Sequence, residues 1–189
     1  MRGIGGLGAR NWRPAGAPTG APPPPTLRAW ITAPGSLTER MRRHCHERFR
    51  VAVLGERWER PWRDEAVHLG LRPQRRVWMR EVLLCDGATP WIYARTIVPA
   101  PTLRGRLRRL RALGGAPLAS ILFGRSPLER GPIEVTALTP ADRLFAAATR
   151  HCNGHPRWAR RSVFHAGQRS LLVTEVFLPA LLEWMSPWR

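Results

Sequence analysis

Hydrophobic and polar residues alternate in the middle of the chain, between Arg75 and Pro99. Successive side chains of a β-strand point to opposite faces, so residues two positions apart share a face. Five residues share one face of the first predicted strand: Arg76, Trp78, Arg80, Val82 and Leu84. In the second strand, Arg95 falls on a face with Trp91, Tyr93 and Ile97. The Asp86-Gly87 dipeptide between them is typical of a tight turn, so the stretch predicts a β-hairpin with an arginine on an apolar face of each strand.

The same criteria predict four more strands. They span residues 49–54, 128–138, 158–165 and 170–178. Pro132 lies inside the second of these and predicts a bulge or an edge position, because proline has no N–H to donate to a neighbouring strand. Since the strands follow one another as hairpins, we expect an antiparallel sheet of six strands.

Short helices are predicted between these strands. They cover residues 26–33, 37–45, 101–113, 117–123 and 141–150. Ser36 and Glu39 form a capping-box pattern at the start of the second helix. The fold class is therefore α+β: a single six-stranded antiparallel sheet with short helices packed on one face.

The first 25 residues differ in composition from the rest of the chain. They are mostly Gly, Ala, Pro and Arg and end in four consecutive prolines, Pro22 to Pro25. Such a composition cannot bury a hydrophobic core. We expect residues 1–25 to be a disordered segment and residues 26–189 to form one domain, a length sufficient for a core of its own.

The chain is strongly basic. Its formal charge is +18, and all 31 of its basic residues are arginines. This excess suggests nucleic acid or an anionic membrane surface as a partner. A second explanation is a general replacement of lysine by arginine. Because the arginines are spread along the chain rather than clustered, we interpret the charge as favouring anionic small molecules and expect no specific nucleic-acid partner.

The spacing of the cysteines and the length of the apolar runs indicate the cellular compartment. Three cysteines without a CxxC spacing predict neither a disulfide framework nor a zinc site. The His44-Cys45-His46 cluster and the loop of residues 151–156 carry further ligand types, but their spacing matches no standard metal site, so we expect no metal. No apolar run approaches the roughly 20 residues that span a bilayer. We expect a cytoplasmic monomer.

Three blocks of the sequence resemble the chorismate pyruvate-lyases, enzymes that make 4-hydroxybenzoate for ubiquinone. They are WMREVLLCDGATPWIYARTIVP (78–99), LGGAPLASILF (113–123) and RWARRSVFHAGQRSLLVTEVFLPA (157–180). The last two are similar to the family patterns LG-x-TPLG-x-x-LF and WGRRS…LLLTE-x-FLP. SLTERM (36–41) is similar to S-M-T-x-R-F, with Leu37 in place of the methionine whose backbone helps to close the family's ligand pocket.

The resemblance implies an activity and a site. It implies elimination of pyruvate from chorismate to give 4-hydroxybenzoate without a cofactor, in a buried pocket closed by helices near Leu37 and residues 113–123. Arg80 would bind the ring carboxylate, and Arg95 the enolpyruvyl carboxylate. Leu118 would contribute a backbone amide. Glu175 would meet the ring hydroxyl and remove the proton of the carbinol carbon, unless that proton passes internally to the departing enolpyruvyl group.

Glu175 shares its predicted strand face with Leu171, Val173 and Phe177. A carboxylate among apolar side chains needs a cationic partner. Arg80 is the partner that we expect, and Arg160 and Arg161, across the hairpin, are the alternatives. Two other functions stay open: a small-molecule sensor with this fold, and a basic nucleic-acid-binding protein that stacks bases on Trp78, Trp91 and Tyr93.

Overall fold

The computed structural model describes residues 12–17, 22–72 and 74–186. The strands within them are β1 (Arg13–Pro14), β2 (Phe49–Glu59), β3 (Val77–Asp86), β4 (Thr89–Pro99), β5 (Glu129–Arg130), β6 (Glu134–Ala137), β7 (Trp158–Ala166) and β8 (Arg169–Phe177). They form one antiparallel sheet in the order β1-β6-β7-β8-β4-β3-β2, and β5 pairs with β7. The predicted α+β class with an antiparallel sheet is confirmed.

The strand count is eight in the described residues, so the prediction of six is wrong. The predicted strand at 128–138 is two strands, β5 and β6, because Pro132 interrupts the hydrogen-bonding pattern between them. The other addition is β1, in which Arg13 and Pro14 pair with β6 at the edge of the sheet. A two-residue strand has no alternation to detect, and it falls inside the segment 1–25 that was predicted to be disordered; residues 1–11 and 18–21 of that segment lie outside the described ranges.

The predicted hairpin of β3 and β4 is confirmed. Asp86 pairs with Thr89 across the turn, and Gly87 has a φ of +55°, a left-handed conformation that glycine adopts at little cost. The Asp86 carboxylate also accepts hydrogen bonds from the backbone N–H groups of His46 and Glu47, at 3.0 and 2.9 Å. These bonds fasten the start of β2 to the turn.

An irregularity in the pairing of β3 and β4 changes which side chains share a face. The register shifts between Leu84 and Cys85, which leaves Trp91 without a direct partner on β3. Trp91 packs in the same cluster as Leu84, whereas Tyr93 packs in a cluster on the other side. The prediction that Trp91 lies on the face of Tyr93 and Arg95 is therefore wrong, because a bulge inserts an extra residue and so breaks the simple alternation.

The helices are α1 (Pro25–Ile31), α2 (Leu37–His44), α3 (Arg63–His68), α4 (Ala119–Leu122), α5 (Arg143–Thr149) and α6 (Pro179–Trp184), with two 3₁₀ helices at Ala100–Thr102 and Gly105–Ala112. The predicted cap of α2 is confirmed, because Ser36 Oγ accepts a hydrogen bond from the Glu39 N–H at 3.2 Å. The helices of the described ranges are too short or too polar to cross a lipid bilayer.

Helices cover both faces of the sheet, so the prediction of a single covered face is wrong. The face that carries Arg80 and Glu175, called here the Arg80 face, packs against α1, α2, α6, the longer 3₁₀ helix and α4. The opposite face, called the Arg95 face, packs against α5 and the segment after α3. The central strands have buried side chains on both faces, and each face needs its own cover.

Candidate active site

A cavity lies on the Arg80 face between the sheet and its covering helices. The volume open to the centre of a water-sized sphere is about 50 Å³. One water molecule needs about 10–15 Å³ on the same measure, so the cavity has room for several. Residues 35–38 and 117–119 line it from the helix side. Its charged side chains are Arg80, Arg130, Arg160 and Glu175.

The sheet register places Arg80 and Glu175 at opposite ends of this cavity. Arg80 on β3 pairs with Thr96 on β4, and Glu175 on β8 pairs with Ala94 on β4. The two charged residues are thus two strands apart and offset by two residues along the strands. These spacings separate their Cα atoms by roughly 12 Å. A small ligand with one polar group at each end fits between the two side chains.

Arg80 is 2% exposed and is held by three protein acceptors. Nη1 donates to Glu56, its direct cross-strand partner on β2, and Nη2 donates to the carbonyls of Gly114 and Ala116, at 2.7 and 3.2 Å. The third donor, Nε, is buried and has no hydrogen-bond partner. An unpaired buried donor of this kind is costly. Because Arg80 lines the cavity, a ligand oxygen there would satisfy Nε.

Glu175 pairs with Arg160, not with Arg80. Arg160 Nε donates to Glu175 Oε2 at 2.6 Å, and the two residues are direct partners in the β7–β8 pairing. The expectation that Arg80 is the partner is wrong, because Arg80 lies two strands away. The other alternative, Arg161, pairs with Glu134 at 2.6 Å.

Arg160 also fastens the chain above the cavity. It is 1% exposed, and its Nη1 donates to three backbone carbonyls between the end of α1 and the start of α2. These carbonyls belong to Trp30, Ile31 and Ala33. One guanidinium therefore joins Glu175 on the sheet to the segment that leads into Leu37.

Leu37 and Leu118 both line the cavity from the helix side. Leu37 is the first residue of α2 and is 3% exposed. Leu118 precedes α4 and follows the loop whose carbonyls, at Gly114 and Ala116, accept from Arg80. The structure thus brings four of the five predicted site residues to one cavity: Arg80, Glu175, Leu37 and Leu118.

Arg95 is the predicted site residue that the structure places elsewhere. It lies on the Arg95 face, because it pairs directly with Glu81 and not with Arg80. It is 1% exposed, and its three nitrogens donate to Glu65, Glu81 and Glu59 at 2.7, 2.9 and 2.6 Å. Its guanidinium also stacks 4.0 Å from the ring centre of Trp62.

This network keeps Arg95 charged. Burial alone would lower the pKa of Arg95, but hydrogen bonds and ion pairs with Glu65 and Glu59 outweigh burial and raise it above its ordinary value. A second, larger and more open cavity of about 320 Å³ borders Arg95 and Tyr93 on this face. Arg95 is separated from the Arg80 cavity by the sheet itself.

Arg130 is a cavity residue that sequence reasoning missed. It lies on β5, and its Nε donates to Ser162 Oγ at 3.0 Å. Its Nη1 donates to the carbonyls of Pro34 and Gly35, at 2.8 and 3.2 Å. The alternation of Leu128 and Arg130 was the available signal, but a strand of two residues is too short for that alternation to be distinctive.

The aromatic residues considered for base stacking are buried. Trp78, Trp91 and Tyr93 are 5%, 3% and 1% exposed, so none of them presents a ring to a nucleic acid. The histidines of the first cluster make aromatic contacts: His44 packs edge-on against Trp30, and His46 accepts from Trp184 Nε1 at 2.7 Å. In the described part of the chain, no group of three or more His, Cys, Asp or Glu side chains is arranged to hold a metal ion.

The fold is that of a small α+β domain with a cavity lined by charged side chains on one face of its sheet. Two solved structures share the fold: a GntR-family transcriptional regulator from Bacillus cereus and the ligand-binding domain of a GntR-family regulator from Bordetella bronchiseptica. The first is 14% identical, with a TM-score of 0.52 over 70% of this chain and 92% of the other. The second is 20% identical, with a TM-score of 0.50 over 69% and 86%.

Sequence comparison is more specific. The family model described as Chorismate lyase matches residues 11–185, so the chain belongs to the chorismate lyase family. A protein named "Probable chorismate pyruvate-lyase" from Marinobacter nauticus is 44% identical over 82% of this chain and 78% of its own length. One of the same name from Halorhodospira halophila is 43% identical over 93% of both chains.

Proposed function

We propose that this protein is a chorismate pyruvate-lyase, which converts chorismate to 4-hydroxybenzoate and pyruvate in the first committed step of ubiquinone biosynthesis. Family membership and relatives of that name at 43–44% identity support the proposal. In the reaction, the ether bond between the ring and the enolpyruvyl oxygen breaks, the carbinol carbon loses its hydrogen, and the ring becomes aromatic. The released enolpyruvate gains a proton to become pyruvate.

The observation that carries the proposal is the buried, unpaired Nε of Arg80 on the wall of an enclosed cavity. A guanidinium N–H donates a charge-assisted hydrogen bond to a carboxylate. Nη1 and Nη2 of Arg80 already donate to protein acceptors, so Arg80 binds the ring carboxylate of chorismate through Nε. The backbone near Leu118 and Leu37 closes the pocket around the same end of the ligand.

Glu175 acts at the other end of the ligand. An ionised carboxylate only accepts hydrogen bonds, and Glu175 accepts one from Arg160 Nε at 2.6 Å. Glu175 accepts a hydrogen bond from the ring hydroxyl, which is para to the ring carboxylate, and it removes the proton of the carbinol carbon. The separation of Arg80 and Glu175 across two strands suits the length of a para-substituted ring.

The segments that cover the cavity act as lids. The cavity arginines hold them in place: Arg80 bonds to the carbonyls of Gly114 and Ala116, and Arg160 bonds to three carbonyls of residues 30–33. These bonds must rearrange when substrate enters and the aromatic product leaves. We therefore expect product release to be slow relative to the chemical step.

The elimination is redox-neutral and is driven by aromatisation, so it needs no cofactor. We expect the protein to act as a monomer in the cytoplasm, whose reducing conditions would keep Cys45, Cys85 and Cys152 as thiols.

The decisive experiment mixes purified protein with chorismate, without added metal or cofactor, and follows 4-hydroxybenzoate and pyruvate. Stoichiometric appearance of both products supports the lyase. Saturable binding of 4-hydroxybenzoate without turnover would instead favour a small-molecule sensor, which binds its ligand but does not convert it. If the protein shows no turnover of chorismate and no binding of 4-hydroxybenzoate, that result would contradict both functions.

Arg95 has a structural role in this proposal, and a substitution tests that role. Arg95→Met removes the buried cation that Glu59, Glu65 and Glu81 share, so we expect it to lower the free energy of unfolding by about 3–5 kcal/mol. The KM of the folded fraction for chorismate should not change. Denaturant unfolding and steady-state kinetics check the two halves.

The matched control for this substitution is Arg57→Met. Arg57 pairs with Glu59 as well, but its side chain is 54% exposed, and exposed ion pairs contribute only about 0–1 kcal/mol. A large rise in KM for Arg95→Met with normal stability would show instead that Arg95 binds substrate.

A further inference from the structure

Arg130 is the cavity arginine whose charge has no carboxylate partner. The other two guanidinium groups are neutralised, Arg80 by Glu56 and Arg160 by Glu175. Among the residues that the structure describes, no carboxylate forms an ion pair with Arg130. It is nevertheless half-buried, with its guanidinium 5.3 Å from the ring centre of Phe164.

The position of this charge is unfavourable in the protein alone. Burial and the nearby charge of Arg160 lower the pKa of Arg130 to about 10, and Glu175 opposes this effect only in part. Arg130 lies at the Glu175 end of the cavity, because it bonds to the carbonyls of Pro34 and Gly35, next to the Ala33 carbonyl that accepts from Arg160, the partner of Glu175. An anion bound at that end would balance the unpaired charge.

The hydrogen bonds of Arg130 leave one side of its guanidinium for a ligand. Nε is bonded to Ser162, and Nη1 is bonded to the carbonyls of Pro34 and Gly35. None of the hydrogen bonds that Arg130 makes with the described residues uses Nη2. Arg160, in contrast, is almost fully buried and joins Glu175 to three backbone carbonyls.

We propose that Arg130 binds the second carboxylate of the substrate, the one on the enolpyruvyl group. The inference rests on the proposed function. Chorismate carries its enolpyruvyl ether on the ring carbon next to the hydroxyl-bearing carbon, so this carboxylate lies at the end of the ligand that Glu175 contacts. Arg130 thereby takes the role that the sequence suggested for Arg95, on the face of the sheet where the ligand lies.

This role for Arg130 predicts different effects on the binding of substrate and of product. 4-Hydroxybenzoate keeps the ring carboxylate but lacks the enolpyruvyl group, so it needs Arg80 and not Arg130. Loss of Arg130 should therefore weaken binding of chorismate alone. Once pyruvate has left, the charge of Arg130 is again unbalanced, and the site binds a dianion better than a monoanion.

The test compares steady-state kinetics on chorismate with equilibrium binding of 4-hydroxybenzoate for Arg130→Gln. We expect KM to rise about 10- to 100-fold, the range for losing a hydrogen bond to a charged group. We expect kcat to change much less, because the contact exists in both the ground state and the transition state. The Kd for 4-hydroxybenzoate should stay within about threefold of the wild-type value.

Three further variants complete the test. Arg130→Lys keeps the charge and should recover part of the affinity. Ser162→Ala removes the partner of Nε and should raise KM only a few-fold. Arg108→Gln makes the same change of charge at an exposed position outside the cavity and should leave both constants unchanged.

Two outcomes would overturn the inference. An unchanged KM for Arg130→Gln would mean that the second carboxylate binds elsewhere. A parallel rise in KM and in the Kd for 4-hydroxybenzoate would mean that Arg130 only holds Pro34 and Gly35 over the cavity. Inactivity of the wild-type protein toward chorismate is a different result, because it would overturn the proposed function itself.

Discussion

We expect Arg80→Ala to abolish the turnover of chorismate while the sheet still folds. In the proposed function, Arg80 provides the cation for the ring carboxylate, and its loss leaves that carboxylate buried without a cation. Removing one partner of a buried ion pair costs about 3–5 kcal/mol, or about 10²- to 10⁴-fold in kcat/KM. Steady-state kinetics measures the loss, and far-ultraviolet circular dichroism checks the fold.

In this variant, the affinity for 4-hydroxybenzoate should fall along with the rate of turnover. The ring carboxylate is present in both chorismate and 4-hydroxybenzoate, so Arg80 contacts both ligands in the proposed binding mode. This behaviour distinguishes Arg80 from Arg130, because replacement of Arg130 should leave the affinity for 4-hydroxybenzoate nearly unchanged. Titration of 4-hydroxybenzoate into the two variants therefore tests both carboxylate assignments in one experiment.

Glu56 complicates the single substitution and also supplies its control. Without Arg80, the Glu56 carboxylate loses its cation, and the carbonyls of Gly114 and Ala116 lose a donor. The double variant Arg80→Met with Glu56→Gln removes both charges together and should recover thermal stability without recovering turnover. Near-normal activity in either variant would contradict the role of Arg80 as the carboxylate ligand.

Alternation along single strands predicted the local part of the site. The period of two placed Arg80 beside Val82 and Leu84, and it placed Glu175 beside Val173; both assignments agree with the structure. Such a pattern depends only on the pleat of one strand, which its own residues determine. It says nothing about which strand lies alongside.

Strand order determines the partners, and it could not be deduced from these patterns. Glu175 meets Arg160 because β7 lies directly beside β8, whereas Arg80 is separated from Glu175 by β4. Glu56 reaches Arg80 only after a register shift between Val53 and Gly55, in a part of β2 beyond its predicted end. Pairings of this kind depend on contacts between distant segments.

Arg95 was expected at the ligand and lies elsewhere, whereas Arg130 was missed, for two different reasons. The expectation for Arg95 came from the resemblance, and the alternation along β4 alone could not show that Arg95 lies opposite Glu81 and not opposite Arg80. Arg130 lies on a two-residue strand that pairs with β7. The role proposed for it could be inferred only once strand order had placed it at the end of the cavity where Glu175 lies.

Glu175→Gln should lower kcat by about 10²- to 10⁴-fold, the usual contribution of a positioned general base. The substitution keeps the shape of the side chain and an oxygen that can accept a hydrogen bond, so the KM for chorismate should change much less. The amide can no longer take the proton of the carbinol carbon. Steady-state kinetics separates the two parameters, and Glu183→Gln on the exposed side of α6 is the matched control.

The origin of the third hydrogen in the pyruvate methyl group shows which path the proton of the carbinol carbon takes. A proton taken by Glu175 exchanges with solvent, so pyruvate formed in D₂O and analysed at once by mass spectrometry should carry one deuterium. Direct transfer from the carbinol carbon to the departing enolpyruvyl group would leave pyruvate unlabelled. Unlabelled pyruvate together with a nearly normal kcat for Glu175→Gln would show that Glu175 serves only to hold Arg160, and that the elimination proceeds without a base from the protein.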